Sequence, residues 1–377
     1  MSKRAASRAE STDRRAFAEL LRPLGAQIAP FVEARVRLWQ PYRPHWNYED
    51  GCIFKGCLAL ANEARFLADF VAREVSSRVG ADGAIEGFDP REYNIDNVHA
   101  GRTLFRLLEA TGEERYRHAL DVQFAQLESH PRTASGNYWH KQIYPWQVWL
   151  DGLYMAQPFQ VAYAQVARRP ELLEDTRRQF EHVRRAMRDD ATGLYYHGWD
   201  ERCLEKWSDP RTGCSPCFWA RAMGWFAMAL VDCIEAAPEH PVRDLCAQIL
   251  REVTEALVRV RSPRGLWYQV LDQADRARNY EEASASLMFA YALMKGARLG
   301  VLSAESGVTG RNSYEACVQG FLTSERLDGI CGVAGLGNVP YRDGSYEYYV
   351  SEPIVPNDPK GVGALLLATA EAIAFGH

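Results

Sequence analysis

Two kinds of helical pattern alternate along the chain. Segments at about 50–61, 97–110, 152–168, 217–236, 280–300 and 360–375 are apolar and rich in small residues. Between them, segments at about 13–38, 64–79, 113–129, 171–189, 241–261 and 311–325 keep one apolar stripe on a charged surface. "FWARAMGWFAMAL" (218–230) is of the first kind and "LLEDTRRQFEHVRRAM" (172–187) of the second. A helix that is apolar all round is buried, whereas a striped helix meets water on one face. Strand-like alternation is rare and short.

The connections alternate as well. Apolar segments pass to charged ones through short links such as "ATGEERY" and "APEHPV", and charged segments return through long loops. Two of the long loops carry similar text, "GLYYHGWDE" (193–201) and "GLWYQVLDQ" (265–273). The pattern is a degenerate repeat of a helical hairpin, roughly 45 to 80 residues per unit. Six such hairpins closing on themselves bury an inner shell inside an outer one. The expected fold is all-α, an (α/α)6 barrel over residues 13–377 as a single domain, preceded by a flexible tail at 1–12. An open helical solenoid is the alternative, and the aromatic-rich loops favour the closed form.

Every long loop precedes an inner helix, so the topology gathers these loops at one end of the barrel. They include "PYRPHWNYEDG", "GFDPREYNID", "NYWHKQIYPWQVWLDG" and "NVPYRDGSYEYYVSEPIVPNDPKG", and they hold most of the Trp, Tyr and His. Loops on a rigid scaffold are where function concentrates. An aromatic cleft with scattered polar groups suits a small molecule. Without any phosphate-binding loop it points to carbohydrate, whose C–H faces stack on rings.

Composition narrows this further. The 377 residues are 47% hydrophobic and 25% charged, an ordinary globular balance. A net charge of −5 without a basic patch argues against a nucleic-acid partner. No apolar run reaches membrane-spanning length. Nine Cys without a secretory signal suggest reduced thiols and a cytoplasmic protein. Cys214 and Cys217 have CxxC spacing but lack a second pair of zinc ligands, so they read as loop thiols. No metal and no cofactor are expected, and the chain is expected to be a monomer or a weak homodimer.

Asp151 is the one charge in "YPWQVWLDGLYMAQPF" (144–159), among Trp146, Trp149, Tyr154 and Phe159. Asp96, in "YNIDNVHAGRTLF", stands at the equivalent point one hairpin earlier. The simplest role for both is helix N-capping. A carboxylate among rings is costly, however. Desolvation and a second acid favour the protonated form, while a helix N-terminus favours the anion. A general acid at neutral pH needs the first pair of effects to prevail.

Four stretches, "YWHKQIYPWQVWLDGLYMAQPF", "TGLYYHGWDE", "FWARAMGWF" and "NDPKGVGALLLA", closely resemble the unsaturated rhamnogalacturonyl hydrolases, glycoside hydrolase family 105. The resemblance runs from about Trp46 to Ala370. The related unsaturated glucuronyl hydrolases diverge more in these motifs. The resemblance implies an enzyme that takes oligosaccharides left by polysaccharide lyases, such as pectin fragments of rhamnogalacturonan. It implies hydration of the C4=C5 vinyl ether of a terminal unsaturated uronic acid, with Asp151 as the acid/base and Asp96 assisting. Carried over in the same way, Tyr48, His140, Lys141, Trp149, Met155, His197, Trp219 and Arg221 would bind substrate. Arg221, on an otherwise apolar helix, needs a partner: the substrate, Asp96 or Asp151. Lys360 in "NDPKG" reads equally as a helix-start feature or a ligand. Gln157 stands where the family often has glycine, and this bears on substrate choice.

Three other functions fit the pattern less well. One is unsaturated glucuronyl hydrolysis of other lyase products. Another is a sugar epimerase or isomerase, which would use paired histidines where this chain has paired acids. The last is a non-catalytic scaffold, which would leave the matched acids unexplained.

Overall fold

The computed structural model describes residues 3–237 and 239–375. Its helices are α1 (Lys3–Leu21), α2 (Ile28–Arg37), α3 (Tyr48–Ala59) and α4 (Arg65–Ser76), followed by a 3-10 helix (Ile95–Gly101) that runs into α5 (Arg102–Thr111). Then come α6 (Glu114–Ser129), the short strand β1 (Gln147–Trp149), α7 (Leu150–Ala167), α8 (Glu171–Met187) and β2 (Gly198–Asp200). The chain continues through α9 (Ala220–Ala236), α10 (Pro241–Arg259), α11 (Ala283–Arg298) and α12 (Ala304–Phe321). It ends with α13 (Tyr346–Tyr349) and α14 (Pro359–Phe375).

The inner shell is a closed ring. Helix α3 packs on the 3-10 segment, which packs on α7, then α9, α11 and α14, and α14 returns to α3. Helices α4, α6, α8, α10 and α12 form the outer shell, and α1 bridges α2 and α4. This is the expected (α/α)6 barrel. Periodicity explains which helices go where. In α9 every residue from Ala220 to Ile234 is buried, whereas α8 buries Leu172, Leu173, Thr176, Gln179, Phe180, Val183 and Met187, one stripe. The ring closes through glycine. A Cβ on Gly363 would lie 2.6 Å from the Cys52 carbonyl oxygen, and one on Gly56 would lie 2.7 Å from Leu366. Side chains at either position would hold α14 off α3.

Three expectations are corrected. Residues 3–12, read as tail, belong to α1, and residues 1–2 lie outside the described chain. The segment at 13–38 is two helices, parted at "RPLGAQ", where Pro23 cannot donate and Gly25 has φ +155. The helix expected at 311–325 begins at Ala304, where the Ser303 side chain caps the Ser306 N–H despite two glycines in the next turns.

Below the long loops, the inner shell encloses a charged cluster. Asp232 of α9 accepts from Arg102 of α5 at 2.6 Å, and from Tyr291 and Lys295 of α11 at 2.6 and 2.7 Å. Lys55 of α3 lies 3.2 Å away. Burial pushes the Asp232 carboxyl up, but Lys295, Lys55 and Arg102 more than reverse this and hold it well below the usual range. Burial and the charge of Arg102 lower Lys55 to about 8. Among the described residues no helix is long and apolar enough to cross a membrane.

Lys295 also reaches Glu235 at 2.7 Å, but removing the Asp232 carboxylate would leave Lys55 and Arg102 facing each other and Lys295 without its buried partner. Asp232→Asn should therefore cost about 3–5 kcal/mol of stability in urea unfolding. A loss below about 1 kcal/mol would show that this cluster does not tie the ring together.

Candidate functional site

Asp151 lies in the first turn of α7. The N-cap position is Trp149, whose side chain makes no capping bond, so Asp151 is not the cap itself. Strand β1 pairs antiparallel with β2, placing Trp149 opposite Gly198. The Leu150 N–H donates to the His197 carbonyl at 3.1 Å. This short ladder brings His197 beside Asp151, with Nε2 3.3 Å from Oδ2 and without hydrogen-bond alignment. On its other side, His197 Nδ1 is 2.7 Å from the Tyr349 hydroxyl. Burial raises the Tyr349 phenol well above its ordinary range, so it keeps its proton. With Nδ1 engaged by the phenol, Nε2 is the ring nitrogen that faces Asp151.

Asp96 is placed differently. It is the second residue of the 3-10 helix, and its N–H donates to the Asn94 side chain at 3.3 Å. A bridge between Asn94 and Lys141 sets the lysine opposite, with Nζ 2.6 Å from Asp96 Oδ2. His140 Nε2 is 3.8 Å from Oδ1. Burial pushes the Asp96 carboxyl up, but Lys141 and His140 outweigh it and the net shift is downward. His140 itself is lowered to about 4, first by burial, and is neutral at physiological pH.

The walls are aromatic. The His140 ring stacks on Trp149 at 4.3 Å, and Tyr144 stacks on Trp149 at 4.6 Å. Opposite them, Trp219 lies 4.7 Å from His197 and stacks on Tyr349 at 5.8 Å. The indole N–H groups are tied back, Trp149 to Gln147 at 3.1 Å and Trp219 to Gln269 at 3.2 Å. His140 and Tyr144 cover part of Trp149 and Tyr349 part of Trp219, and both indoles still contribute surface to the cavity. Arg221 is fully buried, 3.6 Å from Glu282, and donates to the Cys331 carbonyl. The expectation that Asp96 or Asp151 partners it is thus corrected. Among the described residues its Nε and Nη1 have no hydrogen-bond partner, and neither do Asp96 Oδ1 and Asp151 Oδ2.

These groups enclose a cavity of about 180 Å³ at the long-loop end. Tyr48, Asp96, His140, Lys141, Trp149, Asp151, Met155, Trp219 and Arg221 all line it, and His197 stands immediately behind Asp151. Lys360 lines it too, paired with Asp358 at 2.8 Å. Gln157 does not line it. It sits behind the His140 wall and donates to Gln179 at 3.0 Å. Sequence reasoning missed Arg43, Glu49, Tyr144, Trp225 and Arg342. Glu49 adjoins Tyr48, and Arg342 lies in one of the aromatic loops, but neither position shows in sequence which way its side chain turns. A larger cleft of about 1270 Å³ between α1, α2 and α4 is walled by surface charges such as Arg14 and Glu33, away from both acids.

Two carboxylates in one small chamber thus have different surroundings. One is paired with a lysine, and the other faces a histidine beside an indole. Among the described residues, several lining groups carry donors or acceptors without a hydrogen-bond partner. This suits a hydroxylated sugar ring undergoing proton transfer.

The model of Glycosyl Hydrolase Family 88 matches residues 28–375. The structure of a family 105 glycoside hydrolase from Clostridium acetobutylicum is 40% identical, covers 91% of this chain and 98% of its own, and superposes with a TM-score of 0.88. An unsaturated rhamnogalacturonyl hydrolase of Bacillus subtilis is 31% identical over 67% of this chain and 72% of its own length. An unsaturated glucuronyl hydrolase specific for heparin is 11% identical with a TM-score of 0.71, covering 97% of both chains, a likeness of fold. The chain therefore belongs to the glycoside hydrolases matched by the Family 88 model and, among them, to family 105.

Proposed function

We propose that this enzyme removes the Δ4,5-unsaturated uronic acid from the non-reducing end of rhamnogalacturonan fragments left by a lyase. The observation that carries the reading is the unequal pair of acids in one chamber, buried Asp96 held by Lys141 at 2.6 Å and half-buried Asp151 beside His197 at 3.3 Å. The rhamnogalacturonyl substrate is supported by the name of the Bacillus subtilis relative and by the "HK…WLDGLYMA" motif. Pectin would be the source of the fragments and the cytoplasm the compartment. Nine unpaired cysteines fit a reducing environment.

In this reading Asp151 gives its proton to C4 of the vinyl ether, and positive charge develops on C5 and the ring oxygen. Water adds at C5 and returns a proton to the Asp151 carboxylate. The hemiketal opens by breaking the C5–O5 bond, and collapse at C1 releases the aglycone alcohol and an aldehyde. His197 orients Asp151, and Asp96, ionised against Lys141, accepts from ring hydroxyls. Trp149 and Trp219 offer stacking faces, Met155 an apolar wall, and Tyr48, His140 and Arg221 hydrogen bonds. The carboxylate-spacing rule for ordinary glycosidases does not govern such a hydration.

Loss of the ultraviolet absorbance of the C4=C5 bond follows the reaction. The rate with an unsaturated rhamnogalacturonan disaccharide should exceed that with an unsaturated chondroitin disaccharide, and the reverse order would reassign the substrate. Asp151→Asn should slow the decay roughly 10²- to 10⁴-fold, and an unchanged rate would remove Asp151 from the chemistry. Lys141→Met takes away the charge that lowers the Asp96 carboxyl. An ionised Asp96 is then lost at a higher pH, so the acid limb of the kcat/KM profile should move upward. A limb that stays in place would mean that Asp96 need not be charged.

A further inference from the structure

Five cationic side chains line the chamber: Arg43, Lys141, Arg221, Arg342 and Lys360. Four of them are spent on carboxylates of the protein. Lys141 holds Asp96 at 2.6 Å, Lys360 holds Asp358 at 2.8 Å, Arg43 lies 3.3 Å from Glu49, and Arg221 lies 3.6 Å from Glu282. Arg342 makes no ion pair among the described residues. Its hydrogen bonds go to neutral oxygens: Nη2 to the Tyr144 hydroxyl at 2.8 Å and the Leu336 carbonyl at 3.4 Å, and Nε to the Gly337 carbonyl at 3.2 Å.

The guanidinium is nonetheless well fixed. Gly337 and Arg342 exchange backbone hydrogen bonds of 2.8 and 3.1 Å, closing the loop on itself. A Cβ on Gly335 would lie 2.4 Å from Nη1, so the guanidinium lies across a residue that must lack a side chain. Tyr144, which receives Nη2, stacks on Trp149, two residues before Asp151. Nη1 has no hydrogen-bond partner among the described residues. The result is a pre-positioned, uncompensated positive charge at the chamber wall.

We propose that Arg342 receives the carboxylate of the unsaturated uronic acid and makes the enzyme select the free acid over its neutral ester. The assignment rests on the hydrolase reading above. A carboxylate entering a chamber of about 180 Å³ loses water and needs a cation whose charge is not already neutralised. A guanidinium supplies that charge with directed N–H donors. Arg221 is less suited despite its free Nε and Nη1, because Glu282 already balances it and its remaining donors match neutral hydroxyls.

The test compares kcat/KM for the unsaturated disaccharide as free acid and as uronate methyl ester. The wild-type enzyme should prefer the acid. Arg342→Gln should lower kcat/KM for the acid about 10- to 100-fold, chiefly through KM, in line with a lost charged hydrogen bond. It should barely change the ester, so the acid-to-ester ratio falls towards one, and Arg342→Lys should restore part of the ratio. Tyr144→Phe removes the latch and keeps the charge, so the ratio should survive. Equal losses on acid and ester in Arg342→Gln would make Arg342 a loop latch only and overturn the proposal. So would a ratio that collapses in Tyr144→Phe. A wild-type enzyme that turns over neither compound would overturn the hydrolase reading itself, and the carboxylate assignment with it.

Discussion

One buried carboxylate organises the barrel. Asp232 draws a cation from α3, another from α5, and a lysine and a phenol from α11 onto the same two oxygens. Charges that deep are tolerated only when paired, and here the pairing demands that separate inner helices approach a single point. The ring it helps to close leaves the short links at one end and the long loops at the other. The chamber that holds Asp96 and Asp151 lies at the second end, on walls whose spacing the inner helices set.

At that end the protein treats two acids unequally. Asp96 is given a lysine and becomes a fixed, balanced charge. Asp151 is given a helix start, an indole wall and a histidine held on its far side by a buried phenol. The same side-chain chemistry thus serves two purposes, because the long loops deliver different partners to each. The two-stranded ladder between β1 and β2 is small, but it is what carries His197 to Asp151.

Much of this was legible along the chain. The alternation of apolar and striped helices reflects which faces meet water, and so it foretold the two shells and the grouping of the loops. Asp151 stood out because a lone charge among rings is expensive. The residues named on family resemblance came together because they sit at fixed offsets from inner-helix starts, where the topology leaves little freedom. The first segment misled, since a stripe continues across a break that only Pro23 and Gly25 mark. Asp96 misled in detail, because a 3-10 start and an α start share nearly the same pattern of polar and apolar residues.

The sequence by itself determined the fold class and the gathering of the long loops, with Asp96 and Asp151, at one end, because burial periodicity and chain connectivity are local and repetitive. Tertiary structure alone decided the pairings. Arg221 went to Glu282 and not to an aspartate, Lys141 went to Asp96, and Arg342 came to the chamber wall from a loop nearly two hundred residues beyond Tyr144. Charge partners across a barrel are chosen by distances between elements far apart in the chain, and no spacing along the sequence records those distances.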